Sequence, residues 1–290
     1  MSLVPPAEPL LESAVLAEEL APTTCTRVPV SCDWYHALYP WLRVLGLAAT
    51  PERHAPFYEE SFRRLARDGH ARVAVTGTAD TCMLAHVVRA YAEVGQVPVA
   101  AVVDRCATPL RLCASYARQC SIALETEVAD MLTWQPEHQF DVVTTHAFIG
   151  MFPHEKQARL LRTWAGALRP GGKLVSVARV DPEWSADVPG FSTTQGEAFR
   201  TLVERRVAAV DPPGAPEAAA LGARLRCYTE QMRSFPFASK DALVALLEGA
   251  GFAIDRLDLV RFEGRAGATE SGPGAHRPGT FAHFVATAQG

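Results

Sequence analysis

Residues 71–91, ARVAVTGTADTCMLAHVVRAY, join a short apolar run to a helical pattern through one glycine, Gly77, followed by the small or polar Thr78, Ala79 and Asp80. Such a turn lets the backbone approach a bound nucleotide at the carboxyl end of a strand. A dinucleotide fingerprint asks for glycine at three positions, which here read Gly77, Ala79 and Cys82, and no Gly-Lys-Ser/Thr follows either. Pyrophosphate binding on this loop is therefore not expected. A ligand without a pyrophosphate needs less close approach, and one or two small residues suffice.

Three further polar positions follow apolar runs. Asp104 ends PVAAVVD, where a carboxylate can accept two hydrogen bonds from a ribose diol; its plainer reading is a cap on the helix that starts near Thr108. Asp130, in EVADMLTW, could accept from an adenine amino group with Met131 and Leu132 against the ring, or be an ordinary turn aspartate. His146 follows VVTT, and its ordinary pKa suits proton transfer near neutrality. Packing, or a hydrogen bond to ligand, are its other readings.

The elements that must position these residues alternate. Apolar runs at 73–75, 97–103, 122–128, 142–145 and 174–177 predict strands, and helical patterns at 81–93, 108–119 and 154–168 separate them. Pro170-Gly171-Gly172 predicts a tight turn out of the last helix. Alternation of this kind predicts an α/β fold with a doubly wound, mostly parallel sheet. Before it, EPLLESAVLAEEL reads as one short helix, and DWYHALYPWLR as an aromatic-rich segment with Asp33 as N-cap, Pro40 as a break and Gly46 as a stop. A helix follows with Thr50 as N-cap, Pro51 at its first position, and Phe57, Phe62 and Leu65 on one face. After residue 181 the alternation lapses until SKDALVALLEGAGFAIDRLDLVRF, where Ser239 caps a helix, Gly251 ends it and a strand begins at Phe252. A Gly-rich loop over 264–279 leads to a last strand, TFAHFVATA.

Composition narrows the function. The 290 residues are 48% hydrophobic with a net charge of −4, which supports a sizeable core and disfavours a nucleic-acid binder that works by phosphate neutralisation. No apolar run reaches the roughly 18 residues of a membrane span, and the acidic N-terminal stretch is not read as a signal peptide. Seven cysteines with no C-x-x-C pair read as free thiols of a cytoplasmic protein. Cys106, Cys113 and Cys120 lie seven apart on one helix stripe, without the turn-like spacing of metal ligands, so no metal is expected. A Ser-His-Asp hydrolase is disfavoured because no G-x-S-x-G elbow occurs.

Taken together, VAVTGTAD, AAVVDRC, VADML, FDVVTTHAFIGMF and LLRTWAGALRPGGKLVSVARV resemble, in order and spacing, the class I S-adenosylmethionine-dependent methyltransferases. The most specific of these is the helix that ends L-R-P-G-G-x-L. The resemblance covers about residues 66–180 plus the final helix and two strands. It implies a seven-stranded Rossmann-like sheet with the last strand inserted antiparallel, and S-adenosylmethionine as cofactor. It places Gly77, Thr78 and Ala79 against the amino acid part of that cofactor, Asp104 and Arg105 at the ribose, Asp130 and Met131 at the adenine, and His146 beside the methyl. The first motif departs from the family's acid-x-G-x-G-x-G, reading Val75, Gly77, Ala79 and Thr81 at those positions; Asp80 is the candidate to replace the missing charge.

The expected organisation is a helical N-terminal cap over 1–66 and a methyltransferase domain over 67–290, with a helical insertion at about 182–233. Two additions over the sheet's carboxyl edge imply an enclosed pocket and methyl transfer to a hydroxyl or amine of a small molecule, with no nucleic-acid or membrane partner. His146 is the candidate base. Tyr35, His36 and Phe148 are the candidate substrate contacts, with Trp34 and Tyr39 in the same lid-like segment and Met151 on the wall. Arg226, Tyr228 and Arg233 could bind an anion, although a solvated helix face is the commoner arrangement. The alternatives are an enzyme that uses the same cofactor for other chemistry, and a non-catalytic partner subunit. The oligomeric state stays open, a homodimer included.

Overall fold

The computed structural model describes residues 7–25, 31–48, 51–184, 189–262, 273 and 279–290. Its centre is one seven-stranded sheet: β1 (Arg72–Thr76), β2 (Val99–Asp104), β3 (Leu124–Val128), β4 (Phe140–His146), β5 (Leu168–Val180), β6 (Phe252–Phe262) and β7 (Gly279–Ala288). The order is β3-β2-β1-β4-β5-β7-β6. Strands β1 to β5 pair in parallel, and β7 runs antiparallel to both β5 and β6. This is the seven-stranded, doubly wound sheet with an antiparallel strand inserted that the resemblance implied. The strand order reverses at β1 and β4, so the crevice for a ligand opens above their carboxyl ends.

Period-2 alternation sorts the sheet into two faces. Val73, Val75, Val102 and Val142 point to one face, under α4 (Ala55–Arg67), α5 (Cys82–Glu93) and α6 (Ala107–Cys120). Ala74, Val103, Val143 and Leu174 point to the other, under α7 (His154–Ala167) and α10 (Lys240–Gly249). The centre of this second layer is Trp164, fully buried. The local signals work as read at several ends. Ser239 accepts from the Ala242 N–H at 3.1 Å to cap α10, and Gly251 ends it at φ +90°. The tight turn expected at Pro170-Gly171-Gly172 is instead part of β5, which begins at Leu168 directly after α7; Gly171 there has φ +79°, at an irregularity in the β4–β5 pairing.

The remaining helices, α1 (Leu10–Thr24), α2 (Asp33–His36), α3 (Tyr39–Val44), α8 (Thr193–Val210) and α9 (Ala218–Gln231), lie outside the two sheet layers. Leu38, Leu42 and Leu45 from the N-terminal part share a separate apolar cluster with Phe199, Val203, Leu221, Leu225 and Tyr228 from the insertion. The two additions thus make one core between them. The expected cap over 1–66 divides, because α4 leaves it and packs Phe57, Tyr58 and Phe62 into the sheet layer beside α5. Pro51 opens a 3-10 turn, Pro51–His54, rather than α4 itself. The N-cap position of α2 is Cys32, with Asp33 one place inside the helix. Thr50 and nearly all of the Gly-rich loop over 264–279 lie outside the described residues.

Trp164→Ala is expected to cost about 3–5 kcal/mol, the range for removing a fully buried indole. Urea unfolding of the two proteins checks this; a loss below about 1 kcal/mol would mean the layer under α7 is not close-packed.

Candidate functional site

Above the carboxyl ends of β1, β2 and β4 lies a cavity of about 570 Å³, within the range of small-molecule sites. Gly77 follows β1 at φ +58°, and its N–H donates to the Val103 carbonyl at 3.0 Å. A Cβ at this position would fall 2.5 Å from the Phe148 ring, so only glycine fits. Thr78, Ala79, Asp80, Asp104, Arg105, His146 and Phe148 all face this one cavity. Tyr35 and His36 of α2 enter from the cap, with Tyr35 stacked on Tyr228 at 6.3 Å. Tyr228, Met151 and Arg233 also line the cavity; Arg226 does not.

Asp104 is buried, and one of its oxygens accepts from the Cys106 N–H at 2.7 Å, a bond within the loop; the helix that follows takes Cys106 as its N-cap residue and has no side-chain cap. Asp80 lines the cavity, but its carboxylate is already engaged. One oxygen takes the Arg43 guanidinium at 2.7 Å and the other the Cys82 N–H at 3.0 Å. This corrects the expectation that Asp80 replaces the missing charge toward a ligand: its charge is spent on Arg43. Arg43 is buried and also pairs with Glu8 and Glu52. No sequence motif pointed to Arg43, because its partners come from three separate segments.

Asp130 and Met131 are not brought to the cavity. Asp130 is exposed and accepts the Leu132 N–H at 2.9 Å, which makes it the turn aspartate of its alternative reading. Met131 is buried in the layer with Trp134 and Phe140. The cause is topological: β3 is the sheet's edge, largely exposed, and the turn after it folds back toward α7.

His146 ends β4 and touches two groups that explain its state. Tyr58 Oη lies 3.1 Å from both the Thr145 carbonyl and His146 Nδ1. The phenol has one proton and the carbonyl can only accept, so Nδ1 carries the hydrogen and Nε2 keeps its lone pair. Nε2 has no hydrogen-bond partner among the described residues. Burial drives the imidazole pKa down to about 3, which corrects the expectation of a value suited to neutral pH. The ring of His54 lies 5.2 Å from that of His146, and His54 Nδ1 meets His283 Nε2 at 2.8 Å. Burial lowers both of these too, His283 to about 4. At the cap, burial opposes protonation of His36, but hydrogen bonds with Cys106 and Cys32 outweigh it and hold the pKa at about 10. The Cys106 thiol is drawn down, foremost by its hydrogen bond with Cys25.

Residues 76–172 match the family model described as a methyltransferase domain. No curated protein matches the sequence. Among solved structures, the chain is similar to a candidate methyltransferase from Bacillus halodurans C-125, with 14% identity over 79% of this chain and 97% of that one at a TM-score of 0.49. It is similar to an S-adenosylmethionine-dependent methyltransferase from Methanosarcina mazei, with 17% identity over 75% and 92% at 0.45. It is also similar to the N-methyltransferase NodS of Bradyrhizobium japonicum WM9 in complex with S-adenosyl-L-homocysteine, with 14% identity over 87% and 97% at 0.47.

Burial lowers five imidazoles, those of His54, His70, His86, His146 and His283, and they set a pH dependence. Each binds its proton less readily folded than unfolded, so below the ordinary value of about 6.5 the unfolded chain holds more protons. Stability is then full above about pH 6.5 and is lost as pH falls toward 4 and 3. The urea midpoint is expected to drop between pH 6.5 and 4.5, and less steeply in His283→Gln. A midpoint that holds constant would mean that these rings are not buried neutral.

Proposed function

We propose that this protein is a class I S-adenosylmethionine-dependent methyltransferase that passes the cofactor's methyl group to an amine or hydroxyl of a small-molecule acceptor. The observation that carries the reading is Asp104, at the end of β2, facing the same cavity as the glycine turn at Gly77. S-adenosylmethionine supplies an electrophilic methyl on a sulfonium. The residues present fit it: a cradle that only glycine allows, small neighbours Thr78 and Ala79, and a buried carboxylate with Arg105 beside it for the ribose.

Support for a small acceptor comes from enclosure. The helices around Tyr35 and Tyr228 cover the cavity from one side, and its walls are mainly apolar and aromatic. Tyr35, His36 and Phe148 are the contacts proposed for the acceptor. Burial raises the Tyr35 phenol well above its usual range, so it stays neutral and can donate a hydrogen bond. None of the seven cysteines is in a disulfide and none of the described helices is long and apolar enough to cross a membrane; reduced cysteines suit the cytoplasm.

His146 is proposed as the residue that receives the acceptor's N–H or O–H at Nε2. A neutral amine attacks through its own lone pair and needs no base, only orientation. A hydroxyl must lose a proton, and an imidazole with a pKa of about 3 is a weak base for that step. The low basicity therefore favours an amine acceptor.

Two measurements test this. Asp104→Ala should weaken S-adenosylmethionine binding by about 1.5–3 kcal/mol, the range for hydrogen bonds to a charged group. Calorimetry on a folded variant that gives the wild-type Kd rejects the ribose assignment. For His146→Asn, an amine acceptor predicts a kcat loss of no more than about tenfold, whereas a hydroxyl that depends on this base predicts roughly 10²–10⁴. In either case no acid limb due to His146 is expected above about pH 4 in the wild type, since the ring titrates at about 3.

A further inference from the structure

We propose that Cys25, Cys32, His36 and Cys106 form a structural zinc site that fastens the N-terminal helices to the loop after β2. Cys25 ends α1, Cys32 precedes α2, His36 closes α2 and Cys106 precedes α6. One ligand atom from each lies within 4.8 Å of all the others. Cys25 Sγ is 3.4 Å from Cys106 Sγ and 3.4 Å from His36 Nδ1. Tetrahedral bonds of about 2.3 Å to sulfur and 2.0–2.1 Å to nitrogen give ligand–ligand edges of roughly 3.6–3.8 Å. The side chains are therefore within a few tenths of an ångström of the required spacing along these edges. Cys25, His36 and Cys106 are buried, and Cys32 is half-buried.

The donor set favours zinc over harder cations. Three sulfurs and an imidazole are soft and borderline ligands, and four protein ligands complete a tetrahedron with no position left for water. This is the make-up of a structural site rather than a catalytic one. A surrounding shell is present as well. Thr108 Oγ1 lies 3.0 Å from Cys25 Sγ and 3.6 Å from Cys106 Sγ, where its hydroxyl can donate to a thiolate. The Cys106 N–H is held by Asp104, which fixes the loop that carries the ligand.

The inference about the metal does not depend on the catalytic reading. If methyl transfer were disproved, the four ligands would still stand together. Its consequence for the cavity is positional: Cys106 is two residues from Asp104, and His36 and Cys32 face the cavity, so the metal would hold the cap and the ribose loop in one register.

The test uses the full chain purified from zinc-supplemented medium, without chelator. The expected result is one zinc per chain, three thiols shielded from a thiol reagent until a mercurial releases the metal, and, after cobalt exchange, thiolate-to-cobalt charge-transfer with tetrahedral d–d bands. Phenanthroline should lower the Tm, and zinc should restore it. Thr108→Val should weaken zinc binding by about 10–100-fold, while Cys227→Ser should leave it unchanged. A wild-type chain that retains no stoichiometric zinc or cobalt after gel filtration overturns the proposal. So does a cobalt spectrum without thiolate bands, or a mass two hydrogens short with a Cys25–Cys106 disulfide. The wild-type readouts decide the matter even if a variant does not fold.

Discussion

A buried guanidinium organises the ligand-binding end of this protein. Arg43, from α3, sits almost wholly out of water and meets Asp80 on the glycine turn, Glu8 ahead of α1, and Glu52 ahead of α4. Each of those acids belongs to a different segment, so one side chain fixes three backbones against each other. Taking a cation out of water is unfavourable unless carboxylates surround it, and removing either partner would leave the other buried and uncompensated. The arrangement is thus all-or-none. The N-terminal helices dock with the turn in its observed shape, or the charges remain in water.

This explains the odd composition of the first motif. The acid-x-G-x-G-x-G pattern that the turn resembles has an acid and two further glycines where this chain has Val75, Ala79 and Thr81. Here Thr81 occupies the last of those positions, and its hydroxyl binds Glu8 at 2.6 Å. Asp80 binds Arg43 instead of facing a ligand, while Gly77, the one glycine kept, sits where a Cβ would strike Phe148. Of the departing positions Thr81 alone holds the cap, helped by Asp80 next to it, while Val75 packs into the sheet layer.

The sheet was legible in the sequence because its signals are local. Period-2 runs, the glycine at 251 and the cap at Ser239 act within a few residues, and the structure has them where they were read. Gly77, Asp104 and His146 were legible for the same reason: each follows a strand whose carboxyl end must face the crevice. What escaped was non-local. Asp130 fits the spacing, but spacing carries no information on which strand is the edge, and β3 proves to be it. Arg43 pairs across 37 residues with Asp80, and Cys25 meets Cys106 across 81. A search for metal ligands at turn spacing passes over a tetrad whose fourth member comes from another element. The pKa of His146 escaped too, since it depends on burial and on Tyr58 rather than on the ring itself.

The environment of His146 also bears on how such a site accelerates a reaction. His54, His146 and His283 are all pushed toward the neutral form, and burial keeps the Tyr58 and Tyr35 phenols protonated. The rings around His146 are thus polar but uncharged near neutral pH, while the Arg43–Asp80 pair and the carboxylate of Asp104 bring charge to the same end of the sheet. A displacement at a sulfonium carbon spreads positive charge and moves no proton until after attack. Fixed neutral acceptors suit it better than an ionised base, which would attract the cation in the ground state as well. What such a site can offer is alignment of nucleophile and methyl with water excluded, and alignment is what a rigidly tethered cap provides.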